Sequence, residues 1–316
     1  MTLFEAVTLS LRRLHYSPRT EEAYLRWIRE FVRFHNRRHP REMGAPEITA
    51  FLNHLAVNRH TSASTQNQAL CALVFLYRKV LELEMPALDG LERARRPEHL
   101  PNVLSPEAVR ALLEALHPPY RLLGELLYGS GLRLQEVLSL RIKDIDLQRS
   151  QITVRRGKGA HDRPALLPAS VRASLAMQIE SVRRLHGAER DAGRGEVSLP
   201  EALRTKMPAA ATSFAWQFLF PASRLCADPV TGRSVRYHLH ESALQKAIRE
   251  AATAANLDQR VTCHTLRHSF ATHLLEGGTD IRTIQTLLGH KDVRTTMVYT
   301  HIVHRGPLGV VSPLDR

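Results

Sequence analysis

The chain has 316 residues, which is enough for two domains that each have an apolar core. Its 44 basic and 31 acidic residues give a formal net charge of +13, which predicts a polyanionic partner, most often nucleic acid, with a membrane surface as the lesser alternative. No apolar run approaches the length that spans a bilayer, and no secretory leader is recognisable, so we expect a cytoplasmic protein without a membrane partner. The three cysteines show no metal-ligand or redox spacing, which disfavours a disulfide-rich secreted protein.

Residues 1–90 have the pattern of a small helical bundle. In Thr20–His35, apolar residues recur at intervals of three and four, and arginines and glutamates occupy the other face. Pro46–His60 and Ser62–Leu81 repeat this pattern. The first domain is therefore predicted to be entirely helical.

A basic connection and a second domain follow. Residues 91–103 are rich in arginine and proline, which indicates an exposed linker. Residues 104–316 resume helical patterning at Ser105–Glu107, where an N-cap, a proline and an acid begin a helix. Gln151–Arg155 and His161–Leu167 flank a glycine-rich turn and predict a β-hairpin. The second domain is thus predicted to be mainly helical with a small sheet.

Four separated segments of this second domain carry unusual polar residues. The first, Tyr128–Glu136, ends one helix at glycines and begins another, so Arg133 and Glu136 lie one turn apart and can face the same side. Two interpretations fit it equally. The pair either caps a helix or forms part of an anion site.

The second segment is the predicted hairpin tip, where Arg155 and Arg156 precede Lys158 between two glycines. Glycines without a Cβ let the backbone and the lysine approach a ligand closely. Nearly all of the positive charge of this chain is arginine, which cannot lose its proton in a protein. Lys158 is therefore a candidate for a step in which a cationic group gives up a proton, although a solvated turn lysine is the ordinary interpretation.

The third segment opens a helix with His264, Arg267 and His268 on one face. Two histidines four residues apart can also bind zinc. The metalloprotease form of that motif needs a glutamate directly after the first histidine, where this chain has Thr265. We therefore predict no metal site and favour phosphate binding by this face.

The fourth segment contains a helix that ends at Gly289, then His290 in the turn, and then Tyr299 on a short helix. Together, the four segments supply what metal-free phosphoryl transfer needs. Guanidinium groups stabilise charge on the phosphate oxygens, histidine and lysine move protons, and tyrosine can form a phosphodiester that a sugar hydroxyl attacks again. No Walker-type loop is present, so no ATP and no other cofactor are expected.

The order and setting of these residues resemble the tyrosine recombinases, the phage integrase family. The motifs that carry the resemblance are Arg133, Lys158, His264–His268, Gly289, His290 and Tyr299. The resemblance implies a mainly α protein, with an N-terminal helical, SAM-like core-binding domain and a C-terminal α+β catalytic domain. It also implies that the two domains close around DNA as a clamp.

By this resemblance, Arg133 and Arg267 clamp the scissile phosphate. Glu136 orients the site, and His290 hydrogen-bonds the phosphate. All four residues would thus act on the phosphate or on its immediate ligands.

The remaining roles concern bond making and proton transfer. Tyr299 is implied to form a 3′-phosphotyrosyl link, and Lys158 to protonate the leaving 5′ oxygen, with His264 assisting proton transfer. These assignments make the chain a DNA strand-breaking and rejoining enzyme that needs neither metal nor ATP.

A narrower resemblance, to the integron integrases, extends over essentially the whole chain. It rests on four segments, His15–Thr20, Arg38–Gly44, Val197–Pro208 and Ser312–Asp315. It implies recombination of folded single-stranded attC hairpins with double-stranded attI-like sites by a homotetramer. It also implies an additional segment at about residues 187–236 and a C-terminal tail, residues 302–316, that docks on a neighbouring protomer.

The additional segment has side chains suited to holding unpaired bases. Aromatic faces stack on bases, and polar and cationic groups bind base edges and phosphates. The candidate DNA-binding residues of this segment, together with those of the hairpin, are Phe214, Trp216, His238, His240, Lys206, Arg155 and Arg156. Alternating aromatics are also typical of a buried strand, and this is the favoured interpretation for Phe218 and Phe220.

Three other functions remain open at this stage. The first is another tyrosine recombinase, of the phage or Xer type. A type IB topoisomerase would use the same active site to relax supercoils as a monomer. A DNA-binding protein with a decayed site would form no covalent adduct with DNA.

Overall fold

The computed structural model describes residues 2–84, 101–155, 162–228 and 230–301. The chain divides into two compact units, residues 1–99 and 100–316. Most of the predicted linker, residues 91–103, lies outside the described residues. Among the described residues, no helix is both long and apolar enough to cross a bilayer.

The first unit is a helical bundle, as predicted. Two of its α-helices continue into short π turns, and two begin at serine N-caps, Ser17 and Ser62, whose hydroxyls accept backbone hydrogen bonds. The helices are α1 (Leu3–Arg13), α2 (Pro18–Phe34), α3 (Ala45–Asn53) and α4 (Ala63–Phe75), with π turns at His54–Asn58 and Leu76–Val80.

A single apolar core holds this bundle together. Phe31 and Phe51 pack edge to face in it, with ring centroids 5.5 Å apart. Tyr77 is fully buried, and its hydroxyl donates to the carbonyls of Pro40 and Met43. The amphipathic spacing seen in the sequence therefore corresponds to one buried face on each helix.

The second unit contains nine of the described α-helices. Helix α5 begins at Pro106 behind the Ser105 N-cap, as the sequence predicted. The helices are α5 (Pro106–Glu114), α6 (Tyr120–Gly129), α7 (Leu134–Leu138), α8 (Arg172–Asp191), α9 (Glu201–Lys206), α10 (Glu241–Ala254), α11 (Cys263–Glu276), α12 (Ile281–Leu288) and α13 (Arg294–Met297).

Two small antiparallel sheets accompany these helices. One has the order β1 (Ile145–Asp146), β2 (Gln151–Val154), β3 (Arg163–Leu166), and β2 pairs with β3 as the predicted hairpin. The other pairs β4 (Pro221–Ala227) with β5 (Ser234–His238). The mainly α fold class with a small sheet is confirmed. The hairpin tip, residues 156–161, lies outside the described residues.

Residues 187–236, which the sequence predicted to be an additional segment, contain a small separate apolar cluster of Val197, Leu199, Ala210 and Phe218. Phe218 and Phe220 are both buried, as their favoured interpretation required, but they precede β4. Helix α8 runs four residues beyond Gly187, to Asp191. One glycine in a helix costs only about 1 kcal/mol relative to alanine, so it does not end α8.

Candidate functional site

Most of the predicted catalytic residues line a cavity of about 520 Å³ in the second unit. They reach it from the start of α7, from the first half of α11, from the turn after α12 and from the short 3-10 turn Val298–His301. The lining residues are Pro101, Arg133, His264, Arg267, His268, Gly289, His290, Lys291, Asp292, Thr295, Val298 and Tyr299. Segments far apart in sequence therefore converge here.

Arg133 and Glu136 form a cap at the start of α7 and one wall of this site. The Glu136 carboxylate accepts from the Arg133 backbone N–H at 2.8 Å and from its guanidinium at 2.7 Å. The guanidinium also donates to the Gly289 carbonyl at 3.3 Å. The two interpretations left open by the sequence are thus compatible, because one pair of residues caps the helix and presents a cation to the cavity.

Arg267 is 3 % exposed, and hydrogen bonds to several neighbouring groups fix its guanidinium. Its guanidinium donates to the carbonyls of Gly131 and Leu288, and one amino nitrogen lies 3.2 Å from Nε2 of His290. Burial, and then the charge of Arg133, lowers the pKa of Arg267 to about 10. The group is therefore a fixed cation at neutral pH, oriented before any ligand arrives.

His290 follows Gly289, which ends α12 in the left-handed conformation at φ 61°. Its Nδ1 lies 2.9 Å from the Thr296 hydroxyl. If Nε2 accepts from Arg267, the ring proton is on Nδ1 and is donated to Thr296. Burial and the neighbouring arginines, Arg267 first, lower the pKa of His290 to about 4, so the ring is neutral at neutral pH.

Tyr299 is 3 % exposed. Its hydroxyl contacts His268, to which the sequence analysis assigned no separate role. The Tyr299 oxygen lies 2.9 Å from Nδ1 of His268. His264, the predicted proton-transfer residue, lines the same cavity, and its ring centroid is 5.9 Å from that of His268. The only sequence signal for His268 was its position on the same helix face as His264 and Arg267.

Arg163 on β3 is a second residue that sequence reasoning missed. It donates to the Glu136 carboxylate at 2.8 Å and to the Leu287 carbonyl at 2.6 Å. A Cβ on Gly289 would lie 2.6 Å from the Arg163 Nε, so the glycine allows the arginine to pass. Arg163 thus connects the hairpin to α7 and to the end of α12.

Two predicted residues at the hairpin tip, Lys158 and Arg156, lie outside the described residues. Arg155 is described, and its guanidinium makes an ion pair with the buried Asp144 and a 3.4 Å pair with Asp162. It therefore has acidic partners at the base of the hairpin.

The predicted base-contacting residues of the additional segment are not among those lining the cavity. Phe214 and Trp216 are half-buried, and cations cover them, with Arg183 4.2 Å from the Phe214 ring centroid and Lys143 over the Trp216 ring. Burial, and then the charge of Arg155, lowers the pKa of Lys143 to about 8.

The two histidines of this set lie around β5 and α10. His238 packs on Phe218 at 5.3 Å between ring centroids, and its Nδ1 contacts the Leu239 carbonyl at 2.8 Å. His240 is the N-cap of α10. Lys206 is exposed at the end of α9. Within the described parts of the chain, no group of three or more histidine, cysteine or acidic residues could hold a metal ion.

Two family models match this chain. The model described as "Phage integrase family" matches residues 102–305, and the model described as "Phage integrase, N-terminal SAM-like domain" matches residues 3–87.

Similar proteins agree with these matches. An "Integrase/recombinase" of Escherichia coli is 46% identical over 305 residues, covering 96% of this chain and 90% of that protein. The "Tyrosine recombinase XerA" of Thermococcus kodakarensis is 33% identical over 289 residues, covering 90% and 86%.

Solved structures share the fold at lower identity. The Tn1549 transposon integrase in complex with transposon right end DNA is 16% identical with a TM-score of 0.64, covering 95% of this chain and 94% of that one. The XerH site-specific recombinase bound to a palindromic difH substrate is 20% identical with a TM-score of 0.63, covering 90% and 77%. The chain therefore belongs to the phage integrase family, the tyrosine recombinases that break and rejoin DNA strands.

Proposed function

We propose that this chain carries out site-specific recombination through a covalent bond between Tyr299 and a DNA phosphate. The Tyr299 hydroxyl would attack the scissile phosphorus, form a 3′-phosphotyrosyl link and release a 5′-hydroxyl. The observation that carries this proposal is the convergence of Tyr299 with Arg133, Arg267 and His290 on one cavity. A nucleophile beside oriented cations is the arrangement that phosphoryl transfer requires.

The phosphate would be held by groups that are already fixed. Arg133 and Arg267 would donate to its non-bridging oxygens, where negative charge develops in the transition state. Glu136 would keep Arg133 in place through the two hydrogen bonds described above. His290 would donate to the phosphate from Nε2 in its other tautomer, in which Nδ1 accepts from the Thr296 hydroxyl.

Proton transfer would accompany both halves of the reaction. Lys158 would protonate the leaving 5′ oxygen, and His264 would assist proton transfer from its position on the cavity wall. No ATP is required by this scheme, because the phosphotyrosyl bond conserves the energy of the broken phosphodiester for rejoining.

We further propose that the chain is an integron integrase that joins folded single-stranded attC hairpins to double-stranded attI-like sites. The additional segment supports this, since it carries half-buried Phe214 and Trp216 and exposed Lys206, none of which lines the cavity. We propose Phe214, Trp216, His238, His240, Lys206 and the hairpin arginines Arg155 and Arg156 as its DNA contacts.

The assembly would contain four protomers on two DNA sites. Residues 302–316, which lie outside the described residues, would dock on a neighbouring protomer and couple their activities. We propose that the reaction takes place in the cytoplasm, where a bacterial DNA-recombining enzyme meets its DNA substrates.

The test is an incubation of the protein with a labelled cassette hairpin and a double-stranded partner site, in EDTA and without ATP. We expect a protein–DNA adduct that survives denaturation, and joined products. Tyr299→Phe removes only the hydroxyl and should abolish the adduct. An adduct that persists in this variant would contradict the nucleophile assignment.

The same incubation separates the other functions. Relaxation of a supercoiled plasmid without strand exchange would favour a type IB topoisomerase. DNA binding without any adduct would indicate a decayed site.

A further inference from the structure

The hydroxyl of Tyr299 has a defined partner inside the protein. Its oxygen lies 2.9 Å from Nδ1 of His268, and the two ring centroids are 5.6 Å apart. His268 is half-buried on α11, one position after the buried Arg267. A histidine in direct contact with a nucleophilic hydroxyl is the geometry of nucleophile and base.

We propose that His268 is a catalytic residue that takes the proton of Tyr299 during attack and returns it during rejoining. The proposal rests on the function proposed above and names the base of that site. As the tyrosyl oxygen bonds to phosphorus, its O–H bond breaks and an N–H bond forms at Nδ1, while the bond from phosphorus to the 5′ oxygen breaks and that oxygen takes a proton from the general acid proposed above. In rejoining, the 5′-hydroxyl attacks and returns its proton to that acid, the tyrosyl oxygen leaves, and Nδ1 gives its proton back to the tyrosyl oxygen.

The charge state of His268 fits this role. Burial, and then the nearby His264 and Arg267, lowers its pKa to about 4, so the ring is neutral at neutral pH. In the tautomer protonated on Nε2, the lone pair of Nδ1 accepts the Tyr299 hydrogen bond. Burial also raises the pKa of Tyr299, partly offset by the arginines, so the hydroxyl keeps its proton until a base removes it.

The bound phosphate would strengthen this base. The groups that face His268 are His264 and Arg267 from its own helix, His290 from the turn after α12, and Tyr299. A phosphate held against Arg267 would add negative charge beside these groups, and an opposite charge favours the protonated ring. We therefore expect His268 to become more basic when DNA is bound, which ties removal of the proton to the presence of the substrate.

The test compares His268→Asn, His268→Ala and a matched control, His273→Ala. Asparagine can accept the Tyr299 hydrogen bond but cannot take its proton. His273 is on the same helix and contacts the Tyr128 hydroxyl at 2.8 Å instead of lining the cavity. The substrate is a nicked cassette hairpin on which the wild-type chain forms its Tyr299 adduct, and the measurement is the single-turnover rate of adduct formation from about pH 6 to about pH 9.

We expect both His268 variants to react about 10²- to 10⁴-fold more slowly than wild type, with unchanged DNA affinity. Their residual rate should rise about tenfold per pH unit, because the ionised tyrosine then becomes the reactant, while the wild-type rate stays nearly level. Added imidazole should accelerate His268→Ala in proportion to its concentration. His273→Ala should react like wild type.

Three results would overturn the proposal. In the first, His268→Asn forms the adduct at the wild-type rate. In the second, both variants keep the wild-type dependence of rate on pH. In the third, imidazole does not restore the activity of His268→Ala although this variant unfolds at the same temperature as wild type. Each of these would assign His268 a packing role only. If wild-type protein forms no Tyr299 adduct on any cassette hairpin, the proposed function itself has failed, which is a separate outcome.

Discussion

At the scale of single residues, Glu136 balances the charge of the cavity wall. Its carboxylate bonds to Arg133 and Arg163, and an amino nitrogen of Arg267 lies 3.8 Å away. Burial by itself would raise the pKa of Glu136, but the charge of Arg163 and the hydrogen bonds from Arg133 outweigh it and lower the pKa below its ordinary value. Without this anion, three neighbouring guanidinium groups would repel one another.

Glu136→Gln should therefore destabilise the protein at neutral pH. Removing one partner of a buried ion pair costs about 3–5 kcal/mol, and the retained amide keeps the effect near the lower value. The measurement is the free energy of unfolding in denaturant. The control is Glu125→Gln, which removes an exposed pair with Arg121 and should cost below about 1 kcal/mol.

The same substitution should change the dependence of stability on pH. Because the folded pKa of Glu136 is lowered, its ionised form contributes stability that is fully present above the unfolded value of about 4.3. That contribution is lost as pH falls through the lower folded value. The difference between wild type and Glu136→Gln should therefore shrink in acid, and an equal difference at all pH values would contradict this account.

At the scale of elements, the turn between α6 and α7 sets the position of Arg267. Gly131 in this turn has φ 60°, and its carbonyl accepts from the Arg267 guanidinium. A Cβ at Gly131 would overlap the ring of Phe270 on α11. The glycine thus allows the close approach of the turn to α11 that brings Arg133 and Arg267 to one cavity.

Gly131→Ala should destabilise the protein by at least about 2 kcal/mol. The left-handed conformation costs alanine about 1–2 kcal/mol, and displacement of Phe270 adds to it. The matched control is Gly187→Ala within α8, where no atom beyond the adjoining residues and the backbone of the helix itself lies within 4 Å of the new Cβ. There alanine should stabilise the helix by about 0.5–1 kcal/mol, and the two thermal unfolding midpoints should move in opposite directions.

The part of the additional segment that follows α8 is held to the end of that helix by a buried ion pair, Glu189 with Arg236 on β5. Their side chains are 6% and 11% exposed, so each charge depends on the other. The sequence showed no signal for this pair, because the two residues lie 47 positions apart.

Arg236→Met should loosen this segment, because it leaves Glu189 buried without its cation. We expect a local loss of about 3–5 kcal/mol, measured as faster amide hydrogen exchange in residues 192–240. Arg233→Met is the control, since Arg233 is 70% exposed in its pair with Glu196 and should change exchange little. Equal effects from both variants would rule out the buried pair as the anchor.

At the scale of the whole molecule, the net charge of +13 governs the first encounter with DNA. Arginines that contact phosphates release bound counterions, so affinity falls steeply with salt. This electrostatic contribution to DNA affinity does not depend on which sites the protein recombines.

Affinity for a cassette hairpin should fall by about 10³-fold or more between about 50 mM and 200 mM salt. The measurement is a binding titration at several salt concentrations. A peptide nucleic acid of the same sequence, which lacks phosphates, should bind weakly and with little dependence on salt. A salt-independent affinity for the DNA hairpin would contradict phosphate contacts as the main source of binding.

The sequence by itself determined the features that depend on local spacing. Helix faces, N-caps such as Ser105, the hairpin and the order of Arg133, Arg267, His290 and Tyr299 follow from residue intervals and from the chemistry of each side chain. The interpretation of Phe218 and Phe220 as buried residues needed no more than their alternation.

Only the tertiary structure decided which groups meet. The contact of His268 with Tyr299 joins residues 31 positions apart, and Arg163 reaches Leu287 across 124 positions. Such hydrogen bonds form only when packed helices and strands bring distant segments within about 3 Å, and no periodicity encodes them. The sequence showed Tyr299 only as a tyrosine on a short helix. The packing of α11 against the turn Val298–His301 buries Tyr299 and places its hydroxyl beside His268.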